Sequence, residues 1–394
     1  MIYFYVLLLR IVAYLEGTAK IVSFAGVFVL MLYSIIKRTS VSKIKAVPKY
    51  VFYSLLLTIV LLVHGLILSK IEIRDVAVLL TYWIWLVFTF TYFKNKTLDE
   101  CLKYILISFL IFNFANFVHF KLYFADQKLG LNSILALFGI VDYRIYFPLS
   151  SGANVFTSQL GLNALIGLYF IKHVRNNIWY ILIYTFYIYM LVLADSRLIL
   201  LLTLFFSFIY WFSLKTIVSF FKKTWWVIGL VIAALLYLFY NTEFFDGLKR
   251  PGELTGKALS RIEIWSIALK TIFSDFSAIY GHGLNGFENS MSDSTKEVFE
   301  DQYLQTSHNF ILQTLIDFGI IGAIIVLTFI VKIFALTLKL RSLIITILIV
   351  MLLLIGFTES IPSFYSTEAT LFFITILSIL FIQNERKDIR FSTN

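Results

Sequence analysis

Apolar stretches of about twenty residues recur along the whole 394-residue chain, and nothing else in the sequence restricts its fold so strongly. A helix of roughly 17–25 apolar residues crosses the hydrocarbon core of a bilayer. The stretches are separated by charged or Gly/Pro-containing joints, so they read as separate spans. About twelve are expected, over approximately 1–16, 20–36, 50–68, 75–93, 101–118, 157–171, 177–194, 197–214, 225–241, 309–331, 342–358 and 366–383. Composition excludes the alternative of several soluble domains. Hydrophobic residues make up 60% and charged residues 14% of the chain, and mean hydropathy is +0.88. Soluble domains carry about 45–50% and about 25%. The expected fold class is therefore all-α: a polytopic integral membrane protein forming a single membrane domain over 1–394. The first apolar run lacks a basic start and a small-residue cleavage site, so it is read as a span and not as a cleavable signal.

The net charge of +10 is distributed in a way that fits a bilayer better than nucleic acid. Alternate joints hold Lys37, Arg38, Lys43, Lys45 and Lys49, then Lys94, Lys96 and Lys103, Lys172 and Arg175, Lys215, Lys222 and Lys223, Lys332, Lys339 and Arg341, and Arg386, Lys387 and Arg390. The acids accompanying them are only Asp99, Glu100, Glu385 and Asp388. Basic residues in short joints mark the cytoplasmic side, which predicts cytoplasmic N- and C-termini. The single cysteine, Cys101, excludes an internal disulfide and a Cys-rich zinc site.

On the opposite side, two connections exceed the length of a turn, at 119–156 and 242–308. Within the second, Ala258, Leu259, Ile262, Trp265, Ile267, Ala268, Leu269, Ile272 and Phe273 recur at near-helical spacing among Arg261, Glu263, Ser266 and Lys270. This pattern predicts an amphipathic helix along the membrane surface. The outer loop is thus expected to be partly helical.

Four polar groups fall on this outer side, and one shared cavity would bring them together. Arg197 opens a span directly after Asp195 and Ser196. Its guanidinium keeps its charge and offers a planar fork suited to phosphate oxygens, but snorkelling to headgroups or pairing with Asp195 would equally account for it. Arg261 lies four residues before Trp265, so the two share a helix face. Arg261 points either at a cavity or at solvent. His308 begins a long apolar helix after Thr306 and Ser307 as potential N-caps. An imidazole there can take a hydroxyl proton at neutral pH, or simply sit at the interface. Glu359, followed by Ser360 and Pro362, is a candidate base or sugar-hydroxyl acceptor, or the end of a helix. The run Gly281-His282-Gly283-Leu284-Asn285-Gly286 spells G-x-G-x-x-G, yet no strand precedes it and no βαβ unit surrounds it. A tight turn that lets the backbone approach a ligand closely is the better reading.

The order of "SR" at a span start, then "SRIEIWSIALKTIFSDFSAIYGHGLNGF", then "SHNFILQTLIDFGIIG" resembles the shared C-terminal region of bacterial O-antigen polymerases and O-antigen ligases. The resemblance covers roughly residues 190–335, including the loop 242–308, and rests on an Arg at a span start, an R-x-x-x-W helix, a G-x-G turn and an H-N span start. It implies a GT-C-like membrane glycosyltransferase acting on undecaprenyl-diphosphate-linked oligosaccharide at the periplasmic leaflet of the bacterial inner membrane, with no cofactor and no metal. By the same resemblance Arg197 and Arg261 bind the donor diphosphate and His308 is catalytic. Asn309, Gly281 and Gly283 shape the surroundings; Glu359, which lies beyond the resembling stretch, joins the substrate-binding set on its own reading as a sugar-hydroxyl acceptor. Partners implied are the lipid-linked oligosaccharide, membrane lipid and a polysaccharide chain-length regulator; nucleic acid is not among them. Polymerase is the preferred reading, with O-antigen ligase as the alternative. A flippase, the rival from another class, would show paired repeats or midplane ionisable sites, which the sequence does not clearly display.

Overall fold

A computed structural model describes residues 26, 27, 29–31, 33, 73–123, 145, 147, 153–174, 178–212, 261–273, 277–283, 286–290, 307–357, 359 and 367–392. The expected spans 1–16, 50–68 and 225–241 lie outside these residues, as do most of 20–36, most of 119–156 and the larger part of 242–308. Among the described residues every regular element is a helix. Three helical stretches, Leu98–Leu122, Phe310–Leu340 and Ala369–Arg386, are long and apolar enough to cross a membrane. Shorter apolar helices cover Leu80–Phe93, Ile178–Leu193, Arg197–Phe212 and Leu343–Gly356. Large apolar side chains such as Leu201, Trp211, Ile324 and Val331 are exposed on them, the outward surface of a membrane protein rather than of a water-soluble one.

The chain forms two compact units, one of residues 1–113 with 259–394 and the other of residues 114–258. In the first, α1 (Ile73–Phe93) packs against α11 (Thr367–Ser392). Apolar packing alone gives little direction inside a bilayer, where lipid is as apolar as leucine, so polar contacts fix the pairing. Trp85 is fully buried, and its indole N–H donates to Leu371 O at 3.1 Å and Thr375 Oγ1 at 3.0 Å. One turn on, the hydroxyls of Thr89 and Ser378 meet at 2.8 Å. α2 (Leu98–Tyr123) starts with a reciprocal cap, in which Thr97 N donates to Glu100 Oε2 at 2.7 Å while Glu100 N donates to Thr97 Oγ1 at 3.3 Å. The Arg386 guanidinium of α11 donates to Lys94 O and Lys96 O in the joint between α1 and α2.

In the second unit α3 (Ala153–His173) packs against both α4 (Ile178–Leu193) and α5 (Arg197–Phe212). Its middle, Phe156–Phe170, is buried throughout, including Thr157, Gln159 and Asn163. Lys172 closes the end of α5 by donating to Tyr210 O at 2.9 Å.

Between residues 261 and 356 lie α6 (Arg261–Ile272), the single turn α7 (Ser277–Tyr280), α8 (Gly286–Ser290), α9 (Phe310–Leu340) and α10 (Leu343–Gly356). Hydropathy predicts one continuous span near 309–331, but the structure breaks it. Gly319 has φ 63° and ψ −167°, so Phe310–Phe318 and Ile320–Leu340 are separate helical segments. The break is a backbone property of one residue, which hydropathy does not encode.

The break is required by closure. Arg341 and Ser342 alone join α9 to α10, and at the far end Asn309 Nδ2 donates to Phe357 O at 3.0 Å. At roughly 1.5 Å per residue a straight α9 of 31 residues would reach about 46 Å from the joint, whereas the 14 residues of α10 reach about 21 Å. The ends of two such rods could not touch. With Phe310–Phe318 folded back from Gly319, they do.

A broken helix frees carbonyls that an apolar surround cannot solvate. The turn 281–283 supplies the donors: His282 N donates to Ile316 O at 2.7 Å and Gly283 N to Asp317 O at 2.9 Å. The approach leaves no room for a side chain. A Cβ on Gly281 (φ 79°) would lie 2.4 Å from Asp317 O, and one on Gly319 2.3 Å from Ile279 O. In contrast, a Cβ on Gly167 would make ordinary 3.7 Å contact with Tyr184 N. Gly281→Ala and Gly319→Ala should therefore each lower the thermal unfolding midpoint in detergent or abolish membrane accumulation, the positive φ alone costing about 1–2 kcal/mol. Gly167→Ala should be neutral or stabilising by about 0.5–1 kcal/mol. Thermal melts of the three purified variants check both expectations.

Candidate functional site

The site forms where α9 begins and α10 ends. Asn309 is the N-cap of α9, its side-chain oxygen accepting from Ile311 N at 2.9 Å and Leu312 N at 3.0 Å. The caps expected from sequence were Thr306 and Ser307. Thr306 lies outside the described residues, and Ser307 stands two residues too early. The Ser307 hydroxyl instead donates to Asn309 O at 3.0 Å.

Between them His308 takes φ 48°, a left-handed conformation that a non-glycine residue adopts only where its surroundings impose it. This conformation turns the imidazole toward α10, where His308 Nδ1 lies 3.3 Å from Glu359 Oε2. The His308 side chain is 34% exposed and that of Glu359 8%. A carboxylate at Nδ1 favours the tautomer with the proton on that nitrogen, leaving the Nε2 lone pair as the basic position. Glu359 is tied to the end of α10 through its own N–H, which donates to Ile355 O at 2.9 Å. His308, Asn309 and Glu359, noted separately from sequence, thus form one cluster.

Gly281 and Gly283 have φ 79° and 84° as a tight turn requires, but the partner of their close approach is the backbone of α9 at Asp317 and Phe318. Sequence reasoning expected a ligand there. Two residues it passed over complete the arrangement. Asp317 Oδ1 accepts from Gly286 N at 3.0 Å and from Gln313 Nε2 at 2.9 Å, and Gln313 Oε1 accepts from Ser307 N at 2.8 Å. Both side chains are buried. A carboxylate and a carboxamide four apart in an otherwise apolar helix were the available signal.

Arg261 opens α6, and its side chain lies outside the described residues. α6 was expected to lie along the membrane surface. It packs on α9 through Ile264, Ala268 and Ile272 with Phe287 and Ile316, and Trp265, Leu312 and Leu315 pack against this cluster. Leu269 and Phe273 remain exposed. The same α9 segment that carries His308 therefore carries the helix that begins with Arg261.

Arg197 belongs to the second unit. Its Nε–H donates to Asp195 Oδ1 at 3.1 Å, the pairing that sequence reasoning held open beside a phosphate-binding role. Asp195 is buried at φ 45°, and the adjacent Ser196 hydroxyl donates to Thr157 Oγ1 at 2.9 Å, fixing the start of α5 on α3. Among the described residues no three His, Cys, Asp or Glu side chains cluster as a metal site would need.

Residues 181–327 match the family model described as O-antigen ligase. The matched stretch holds Arg197, Arg261, Gly281, Gly283, His308 and Asn309, and ends before Glu359. No protein of curated function matches the chain.

Asn309 both caps α9 and ties it to α10, so Asn309→Ala should cost about 1–2 kcal/mol of stability. Asn309→Asp, which keeps the cap but loses the donor to Phe357 O, should fall between it and the natural protein. Thermal melts of the two variants test the order.

Proposed function

We propose, from the match of residues 181–327 to the family model described as O-antigen ligase, that this protein is a membrane glycosyltransferase using a polyprenyl-diphosphate-linked glycan donor. In this reading the chain is a single membrane domain of about twelve spans with both termini cytoplasmic. It works at the periplasmic face of the bacterial inner membrane and joins undecaprenyl-diphosphate-linked oligosaccharide repeat units into a surface polysaccharide. The observation that carries the proposal is the His308–Glu359 pair, held at 3.3 Å by a left-handed backbone inside a cluster that the family region reaches.

The donor arrives with its leaving group attached, so the protein has two tasks. One is to take a proton from the acceptor hydroxyl. His308 Nε2 accepts it while Glu359, at Nδ1, stabilises the imidazolium that forms. The acceptor oxygen bonds to the anomeric carbon as the bond from that carbon to the diphosphate oxygen breaks, with inversion at the carbon. The other task is to stabilise the charge that collects on the departing lipid diphosphate. Arg197 and Arg261 are assigned to it, each guanidinium offering paired donors to phosphate oxygens without a metal. Arg197 would release or share Asp195 when the diphosphate binds.

The family description itself favours a second reading, an O-antigen ligase transferring finished polysaccharide to lipid A–core. Deletion of the gene separates the two: single-repeat lipopolysaccharide supports the polymerase, and polymer left on its lipid carrier supports the ligase.

Incubation of the purified protein with a defined lipid-linked repeat unit tests the chemistry. His308→Ala should reduce product formation by about 10²–10⁴-fold, and Arg197→Ala and Arg261→Ala by at least about 100-fold. Glu359→Gln should reduce it by about 10–100-fold. Membrane abundance should not change. Near-normal product from all three alanine variants would overturn the assignment.

A further inference from the structure

Beneath His308 a chain of hydrogen bonds runs deeper into α9 than proton transfer alone needs. Ser307 N–H donates to Gln313 Oε1, Gln313 Nε2–H donates to Asp317 Oδ1, and Gly286 N–H donates to the same oxygen, at 2.8, 2.9 and 3.0 Å. Gln313 and Asp317 are each only 3% exposed. They lie four apart, on one face of the segment Phe310–Phe318.

The chemistry of the groups gives the chain a direction. An ionised carboxylate only accepts, so the carboxamide of Gln313 must turn its NH₂ toward Asp317, and its oxygen then faces Ser307 N–H. Ser307 N–H, which can only donate, and Asp317 thus select the same orientation of the carboxamide from its two ends. Ser307 N–H belongs to the residue immediately before His308. His308 holds its left-handed φ of 48° because the chain is pinned on both sides, by Gln313 at Ser307 and by the Asn309 cap. A small rotation there would swing the imidazole away from Glu359.

We infer that Gln313 and Asp317 are positioning residues for His308, linking the turn 281–286 to the orientation of its imidazole. This rests on His308 being the base in the reading above. The turn, docked on Asp317, and the histidine are then set by one hydrogen-bonded unit rather than independently. Loss of the relay should slow the chemical step while leaving donor binding intact, because the groups assigned to the diphosphate are not part of it.

Steady-state transfer from a defined lipid-diphosphate-linked oligosaccharide, with kcat and KM measured separately, tests this. Gln313→Glu sets acceptor against acceptor and should lower kcat about 10–100-fold with donor KM within about 2-fold. The paired exchange Gln313→Glu with Asp317→Asn restores a donor opposite an acceptor. The new carboxylate at 313 receives Ser307 N–H and, after a rotation of the 317 side chain, the new amide N–H, while the amide oxygen receives Gly286 N–H. It should recover kcat to within about 3-fold of the natural enzyme. A Gln313→Glu enzyme with natural kcat would overturn the inference. So would a paired variant that melts like the natural protein yet is no faster than the single. If Gln313→Glu alone fails to accumulate, the paired variant decides by the same kcat criterion. An active His308→Ala enzyme would instead overturn the base assignment, and the inference with it; an inactive His308→Ala beside a fully active Gln313→Glu would remove the relay only.

Discussion

A break in a transmembrane helix has to be answered by donors from elsewhere, because a bilayer supplies none. In this protein the break is at Gly319, and the answer comes from the turn 281–283, whose N–H groups reach Ile316 O and Asp317 O. Much of the described architecture of residues 261–359 depends on that exchange. It requires glycine at 281 and 319, since a Cβ at either would collide with backbone. It docks α7 and α8 against α9, and it lets the segment Phe310–Phe318 fold back so that His308 can meet Glu359. The chemistry proposed for the site is therefore downstream of a backbone contact that involves no reacting group.

The two halves of the proposed reaction are held by different means. His308 is fixed by a dense set of short polar contacts, involving Asn309, Glu359 and Ser307, within one unit. Arg197 is anchored in the other unit by Asp195 and by the Ser196–Thr157 hydroxyl pair. The histidine thus has a rigid frame suited to the proposed proton transfer, whereas a guanidinium ion-paired to a carboxylate can exchange it for a more highly charged phosphate.

The parts legible in the sequence were those that follow from periodicity or from isolated charge. Hydropathy marks the helices around 98–122, 178–193, 197–212 and 343–356, because each must bury a whole apolar surface. The H-N start of α9, the R-x-x-x-W helix and the G-H-G turn were visible because polar or glycine residues stand out against an apolar background. Other features were not legible. The capping role fell to Asn309 rather than Ser307, a difference of backbone φ that residue type does not encode. That the glycine turn also packs on the backbone of α9 was not legible, because a sequence does not say which backbone a glycine lets in. Asp317 was passed over, since the donors that satisfy it, Gly286 and Gln313, are distant in sequence or neutral.

The two-residue joint at Arg341 and Ser342 makes α9 and α10 the arms of a caliper whose tips carry the histidine and the glutamate. Each residue in an arm advances its tip by about 1.5 Å and turns it by about 100°. A single insertion anywhere in Leu343–Gly356 or Ile320–Leu340 would therefore turn one tip by more than a quarter of a revolution, away from the other. Side chains along both arms can drift freely among apolar types, but the number of residues in each arm cannot, and the lengths of two ordinary-looking apolar stretches become as much a part of the site as the polar groups at their ends.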